Sequence, residues 1–189
     1  MRKLLISTLF LTLTAATPAL ADEAKAAKID IAAPASLNWQ GNGTAILVRT
    51  EDRRSSTIPG NTTEGKPLQL QGNLAESVNA AVIRALRQQG YTIVPAADAP
   101  QRTLILQINR VVYSVKKNLF TSDVTIDAAI GVKAKRGDKT VLKQLQSHNS
   151  YEVAFTPSMK RNGEMISETV GDAIQAIFTD PDIAALLKP

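Results

Sequence analysis

The chain contains no cysteine in 189 residues. That excludes disulfides, thiolate catalysis and cysteine-ligated metal together. It also removes the residue that would carry a lipid behind an export signal. There is a single histidine, His148. Metal centres and most general-base sites need several converging ligands or partners, and none stands at a suitable spacing. Aromatic residues are 4% of the chain. No array is visible on which bases could stack, so nucleic acid is not an expected partner. A glycine-rich phosphate loop, a nucleophile elbow and a zinc signature are all missing. These gaps predict neither a cofactor nor an enzyme.

Long apolar runs are also scarce, apart from one at the start. Arg2 and Lys3 precede the apolar stretch from Leu4 to Ala16, and "PALA" places Ala19 and Ala21 at the −3 and −1 positions of a small-residue cleavage site. Residues 1–21 therefore read as a secretory signal peptide cut before Asp22, too short for a transmembrane anchor. The expected location is the periplasm, with no membrane span after cleavage. The remaining chain is large enough for one domain with its own core. Residues 22–43 read as an extended leader and 44–189 as a single domain. "DEAKAAK" reads as a flexible terminus, and "IDIAAP" as a short edge strand. Trp39 is expected to pack over one end of the core.

Charge is unevenly placed. From Arg102 to Lys143 nine Lys or Arg face three Asp, and from Glu152 onward six acids face three bases. The basic segment reads first as a solvated sheet face, and second as a surface for anionic headgroups or an acidic partner.

Periodicity supplies the elements. "TAILVR" at 44–49 is a short run buried on both faces, hence a central strand. "GNLAESVNAAVIRALRQQGY" at 72–91 is a helix. Asn73 is its N-cap, Glu76 forms a capping-box-like pattern, Leu74, Val78, Ala81, Val82, Ala85 and Leu86 share a face, and Gly90 ends it. "YTIVP" is a strand, so strand–helix–strand implies a parallel pair. Three long strands come next. In 102–117 the apolar phase switches near Asn109 and Arg110, which predicts a bulge. The strand of "DVTIDAAIGVKAKRGDK" alternates cleanly and turns at "RGDK". "TVLKQLQSHNSYEVAF" places Val141, Leu145, Tyr151, Val153 and Phe155 inward, while Lys133, Lys135, Lys143, Gln144, Gln146 and His148 are assigned to the wet face. A last helix runs from near Gly163 to about Thr179, and "DIAALL" adds one turn. The order β-α-β-β-β-β-α predicts an α+β fold: a mixed, mainly antiparallel sheet of about five strands with two helices on one face.

One polar cluster follows a buried strand. "ILVRTEDRRSSTIPG" carries Arg49, Asp52, Arg53 and Arg54. Loops after central strands often hold function, and an Asp–Arg pair can hold a carboxylate or phosphate. The plainer reading is that Asp52 and an arginine tie the loop to the sheet edge. Glu164 and Glu168 share a helix face and read as solvated.

Taken in order, "IDIAAP", "ILVRTEDRR", "IPGN", "RQQGYTIV", "LILQINRVVYSV" and "VGDAIQAIFTDPDIAALL" make the chain resemble the YajG-type family of small envelope lipoproteins. The resemblance covers nearly all of residues 22–189. It implies an α+β domain on the periplasmic side, an accessory in envelope assembly or maintenance. Family members carry a cysteine at the cleavage site, and "PALADEA" does not. The leading expectation is a non-enzymatic accessory that binds an envelope protein, peptidoglycan or an anionic headgroup. A small-molecule binder or enzyme built on the 49–54 loop is the second reading. A structural protein that assembles through a strand edge is the third. The oligomeric state is left open.

Overall fold

The apolar run after Thr44 becomes strand β2 (Ala45–Asp52), and its neighbours are built around it. In the computed structural model, residues 25–34 and 40–189 are described. The signal segment 1–21 and Trp39 lie outside them. Asn73 caps α1 (Leu74–Gln88) as its sequence predicts: its Oδ1 accepts from the N–H of Ala75 at 2.9 Å and of Glu76 at 3.4 Å. Such a cap satisfies donors that the first helical turn leaves orphaned. Gly90, at φ 81°, closes the helix in a conformation that a side chain would resist. The chain returns in β4 (Thr92–Ile93), parallel to β2.

Strand β5 (Arg102–Lys117) lies on the other side of β2, also parallel, from Ile46↔Arg102 to Asp52↔Ile108. Strands β6 (Thr121–Arg136) and β7 (Lys139–Ala154) complete an antiparallel meander. The sheet order is β4-β2-β5-β6-β7, the mixed α+β architecture that the patterning predicts. The bulge falls where the phase switches. Ile108 pairs with Ile130 and Arg110 with Ala129, so Asn109 is the extra residue. That one residue returns Val111 and Tyr113 to the helix side, where they are 4% and 2% exposed.

Helix α2 (Met159–Thr179) packs over β6 and β7 and α1 over β2, all against the same sheet face. Ile126, Ile130, Ile166, Val170 and Ile174 are fully buried between them. Each such side chain contributes roughly 1.5–3 kcal/mol relative to exposure. Helix α2 starts four residues before the expected Gly163, because Ser158 caps it by accepting from the Arg161 N–H at 3.2 Å. Its first turn is too polar to register as an apolar stripe.

The early segment differs from expectation. The strand is not "IDIAAP" but β1 (Ala27–Lys28), which pairs in parallel with β3 (Leu70–Gln71). Ala27 is fully buried, and Ile29 and Ile31 follow it into the core. The Asp30 N–H donates to Ser167 Oγ at 3.0 Å, which ties this segment to α2.

"DIAALL" is a third helix, α3 (Pro181–Leu187), capped by Asp180. Its far end is held by three donors from the sheet side. Tyr91 Oη donates to Leu187 O at 2.7 Å, and Arg102 Nη2 and Arg136 Nη1 donate to Lys188 O at 2.9 and 3.0 Å. Cations are favourable where a helix dipole leaves its negative end.

Two wet-face and core assignments are corrected. Lys143 shares phase with Val141 and Leu145 and sits on the helix side. There its Nζ lies 2.6 Å from carboxylate oxygens of both Asp180 and Asp182, and these bonds hold its pKa above the ordinary lysine value. A charge can take an inward phase at a sheet edge when acids meet it there. Phe155 does not face inward: it is 70% exposed.

Candidate functional site

The charged cluster marks the point where β2 runs out and β5 continues. Asp52 is the last paired residue of β2, and the Arg53 N–H still donates to Ile108 O at 2.9 Å. The loop beyond lies along the second half of β5, with Gly60 bridged to Tyr113 and Leu68 buried. Alternation along β2 then divides the four predicted residues between the two faces of the sheet.

On the open face stand Arg49 and Arg53 with Glu51 between them. Arg53 Nη2 and Nε donate to Glu51 Oε2 at 2.8 and 3.0 Å, and Arg49 Nε lies 3.5 Å from Glu51 Oε1. The Gln107 carboxamide takes the orientation in which its oxygen accepts from Arg53 Nη2 and Nη1, at 3.0 and 3.2 Å. The hydrogen bond from Arg53, with the charges of Arg53 and Arg49, holds the Glu51 carboxyl below its ordinary range. Sequence reading does not single out Glu51 or Gln107. Glu51 lies two residues from each arginine and so shares their face, which is a signal that spacing carries. Gln107 arrives from a different strand and is marked by nothing local.

Asp52 and Arg54 form a separate unit. Arg54 Nη2 donates to Asp52 Oδ2 at 2.7 Å and Nε to Oδ1 at 2.9 Å, a bidentate pair, and the Arg54 side chain is only 5% exposed. Side-chain hydrogen bonds from Arg54, then its backbone N–H, hold the Asp52 pKa below the usual carboxylate value against the opposing effect of burial. A cavity of about 360 Å³ lies beside them, with Thr57, Gln69, Gly72 and Asn73 among its walls. The second reading requires such a cavity with an arginine pointing into it. The cavity is present, but the one guanidinium that borders it, that of Arg54, is engaged by Asp52. Both Glu51 and Asp52 are held ionised at neutral pH and are weak proton acceptors, so neither is poised as a general base.

Replacing Asp52 by Asn tests this pairing. The expected cost is about 0.5–1 kcal/mol, because the carboxylate is partly solvated and screened. The folded pKa is depressed, so the pair's contribution is complete above pH 3.8, the ordinary value, and is lost as pH falls through the lower folded value. Denaturant titrations of the two proteins should therefore converge as the solution is made acid.

His148 is exposed on β7, with Nδ1 2.9 Å from Asp127 Oδ1 on β6. Among the described residues no three His, Asp or Glu side chains gather as a metal site, and no helix is long and apolar enough to cross a membrane.

A mixed sheet with helices on one side, an open opposite face and an internally paired charge cluster defines a small α+β module. The chain belongs to a family described as uncharacterized lipoprotein, whose pattern matches residues 32–188. This is the YajG-type family that the sequence motifs indicate. No curated protein sequence matches the chain. Solved structures similar to it include a protein described as a neuraminyllactose-binding hemagglutinin homolog from Helicobacter pylori, at 10% identity and TM-score 0.42, covering 80% of this chain and 92% of that one. Lipoprotein GNA1162 from Neisseria meningitidis aligns at 13% identity and TM-score 0.37, over 72% and 99% of the two chains. The hypothetical protein CT253 from Chlamydia trachomatis aligns at 11% identity and TM-score 0.38, over 76% and 94%.

Proposed function

We infer that this protein is a non-enzymatic accessory of the cell envelope, exported to the periplasm, that docks an envelope protein on the open face of its sheet. Membership of a lipoprotein family supports the envelope setting. The observation that carries the docking reading is the face itself. The helices cover the opposite side, so the open side presents an exposed Leu142 and Val112, with half-buried Ile105 and Leu47, among Lys133, Lys135, Gln144 and Gln146. Apolar positions rimmed by polar ones are the composition of interaction surfaces. The Arg49–Glu51–Arg53–Gln107 array forms one border of that surface. Its two arginines share the one glutamate, and charges held in this way suit a specificity-setting rim better than a ligand trap.

The test is photo-crosslinking in the cell from Gln144 on the open face and from Ser55 beside the cluster. The same dominant protein adduct from both positions is expected. A correctly exported sample giving no protein adduct at either position would sink this reading, and would turn attention to the cavity beside Asp52.

A further inference from the structure

The β5–β6 turn and the end of β7 come together at one end of the sheet, and apolar side chains project there into water. Leu119 is 84% exposed, and Phe120 and Phe155 are 70% exposed each. The two phenylalanines are neighbours: the Phe155 N–H donates to Phe120 O at 3.0 Å, and Ser122 Oγ donates to Phe155 O at 2.6 Å. After residue 21 the chain has only three phenylalanines, and Phe178 alone is in the core. A protein so poor in aromatics places two of them side by side in solvent. Phe155 is also held at φ 57°, a left-handed conformation that bulky residues avoid and that persists where surrounding contacts enforce it.

Basic residues collect around this tip. Lys116 and Lys117 end β5, and Lys160, in the first turn of α2, is 87% exposed. Lys25 and Lys66, with Glu64 in the same wall, line a cavity of about 360 Å³ that Thr156 and Pro157, just after Phe155, also border. Three of the nearby acids are engaged. Glu64 is paired with Lys66 at 2.7 Å, Asp123 accepts from Asn118 at 2.9 Å, and Glu164 meets Arg161 at 3.3 Å and Lys160 at 3.9 Å. Glu152 faces Asp123 across the open side of the sheet.

We propose that this tip enters the surface of a bilayer containing anionic phospholipid. Leu119, Phe120 and Phe155 sink among the headgroups, and the lysines around them meet phosphates. Interfacial binding of this kind draws on buried apolar area together with attraction between lysines and anionic lipid. The family is one of lipoproteins, and this tip would hold the domain at the same kind of surface through side chains. The proposal rests on the envelope setting inferred above but not on the open sheet face.

The test is flotation of the purified, exported protein with vesicles of phosphatidylethanolamine and phosphatidylglycerol, against vesicles of phosphatidylcholine. The protein should float with the first and stay behind with the second, and raised salt should weaken binding, since surface charge is screened within a Debye length. Changing Leu119→Ser, Phe120→Ser and Phe155→Gly together should lower partitioning on the order of a hundredfold, as expected for three apolar side chains withdrawn from an interface. Glycine is at ease at the φ of Phe155, so Phe155→Gly alone should weaken flotation while leaving the thermal midpoint at or above that of the unchanged protein. No flotation with anionic vesicles, or equal flotation of the triple variant, would overturn the proposal. Either result beside an intact crosslink from Gln144 would leave the docking reading standing, and a lost crosslink beside intact flotation would do the reverse.

Discussion

Gly163→Ala is expected to destabilise the protein by roughly 2–4 kcal/mol, the range for a backbone clash in a packed interior. In a free helix the same change would stabilise by about 1 kcal/mol, because glycine is the poorer helix former. The sign is therefore diagnostic. A Cβ at position 163 would stand 2.2 Å from Lys28 O and 3.1 Å from Lys28 C and N. The obstacle is backbone, so no rotamer relieves it. Either α2 shifts, which disturbs its contact with β6 and β7, or β1 lifts away and exposes Ala27, Ile29 and Ile31. Equilibrium denaturation gives the size of the loss. Amide exchange at residues 27–31 separates the two routes, since only detachment of β1 would strip protection there. A variant as stable as the parent would mean that β1 does not sit on α2.

The second large effect comes from a polar contact in the core. Tyr113 Oη donates to Asn162 Oδ1 at 2.9 Å, with the two residues 2% and 1% exposed. Asn162→Leu leaves the phenol buried without its acceptor, at a cost of about 2–3 kcal/mol. Tyr113→Phe strands the amide oxygen instead. The double variant should recover much of the loss, because removing both partners avoids the uncompensated group. Burial also pushes the Tyr113 pKa from 10.0 up to about 12. Its folded value is the higher one, so this contribution is complete below pH 10 and is lost as pH rises through 12. The denaturation midpoint should fall over that interval, and in Tyr113→Phe that part of the fall should be missing. A phenylalanine variant with an unchanged alkaline limb would refute the assignment.

Local chemistry makes much of the fold legible. Asn73, Glu76 and Gly90 mark α1 because capping acts within a few residues. The bulge at Asn109 is visible because period-two alternation cannot change phase without an extra residue. The features that escape depend on groups that meet from distant parts of the chain. Lys143 reads outward by its charge, although its spacing from Val141 and Leu145 already places it inward, and Asp180 and Asp182 explain how it is accommodated. Phe155 reads inward by its hydrophobicity, and its left-handed backbone turns it out. Ala27 reads as part of a loose terminus by its small, charged surroundings, whereas Gly163, far along the chain, makes the space that receives β1. Of the charged cluster, the sequence indicates its place at the end of β2. It does not indicate that Arg53 and Arg54 turn to opposite faces with different acids.

The two margins of the main sheet are unequal. At one side β4 offers two residues, and at the other β7 offers sixteen. The outer main-chain groups of a border strand can template another chain. Here only one margin is long enough to do so with any strength. If two molecules joined through β7, the union would use up the productive margin of each and leave only the short ones outside. Such growth halts at a closed, two-fold pair of ten strands instead of a fibre. The shortness of β4 thus limits propagation on that side, and β7, carrying Thr140, Gln144, Gln146 and Ser150 on its outward phase, is the margin that sets how far such a union can go.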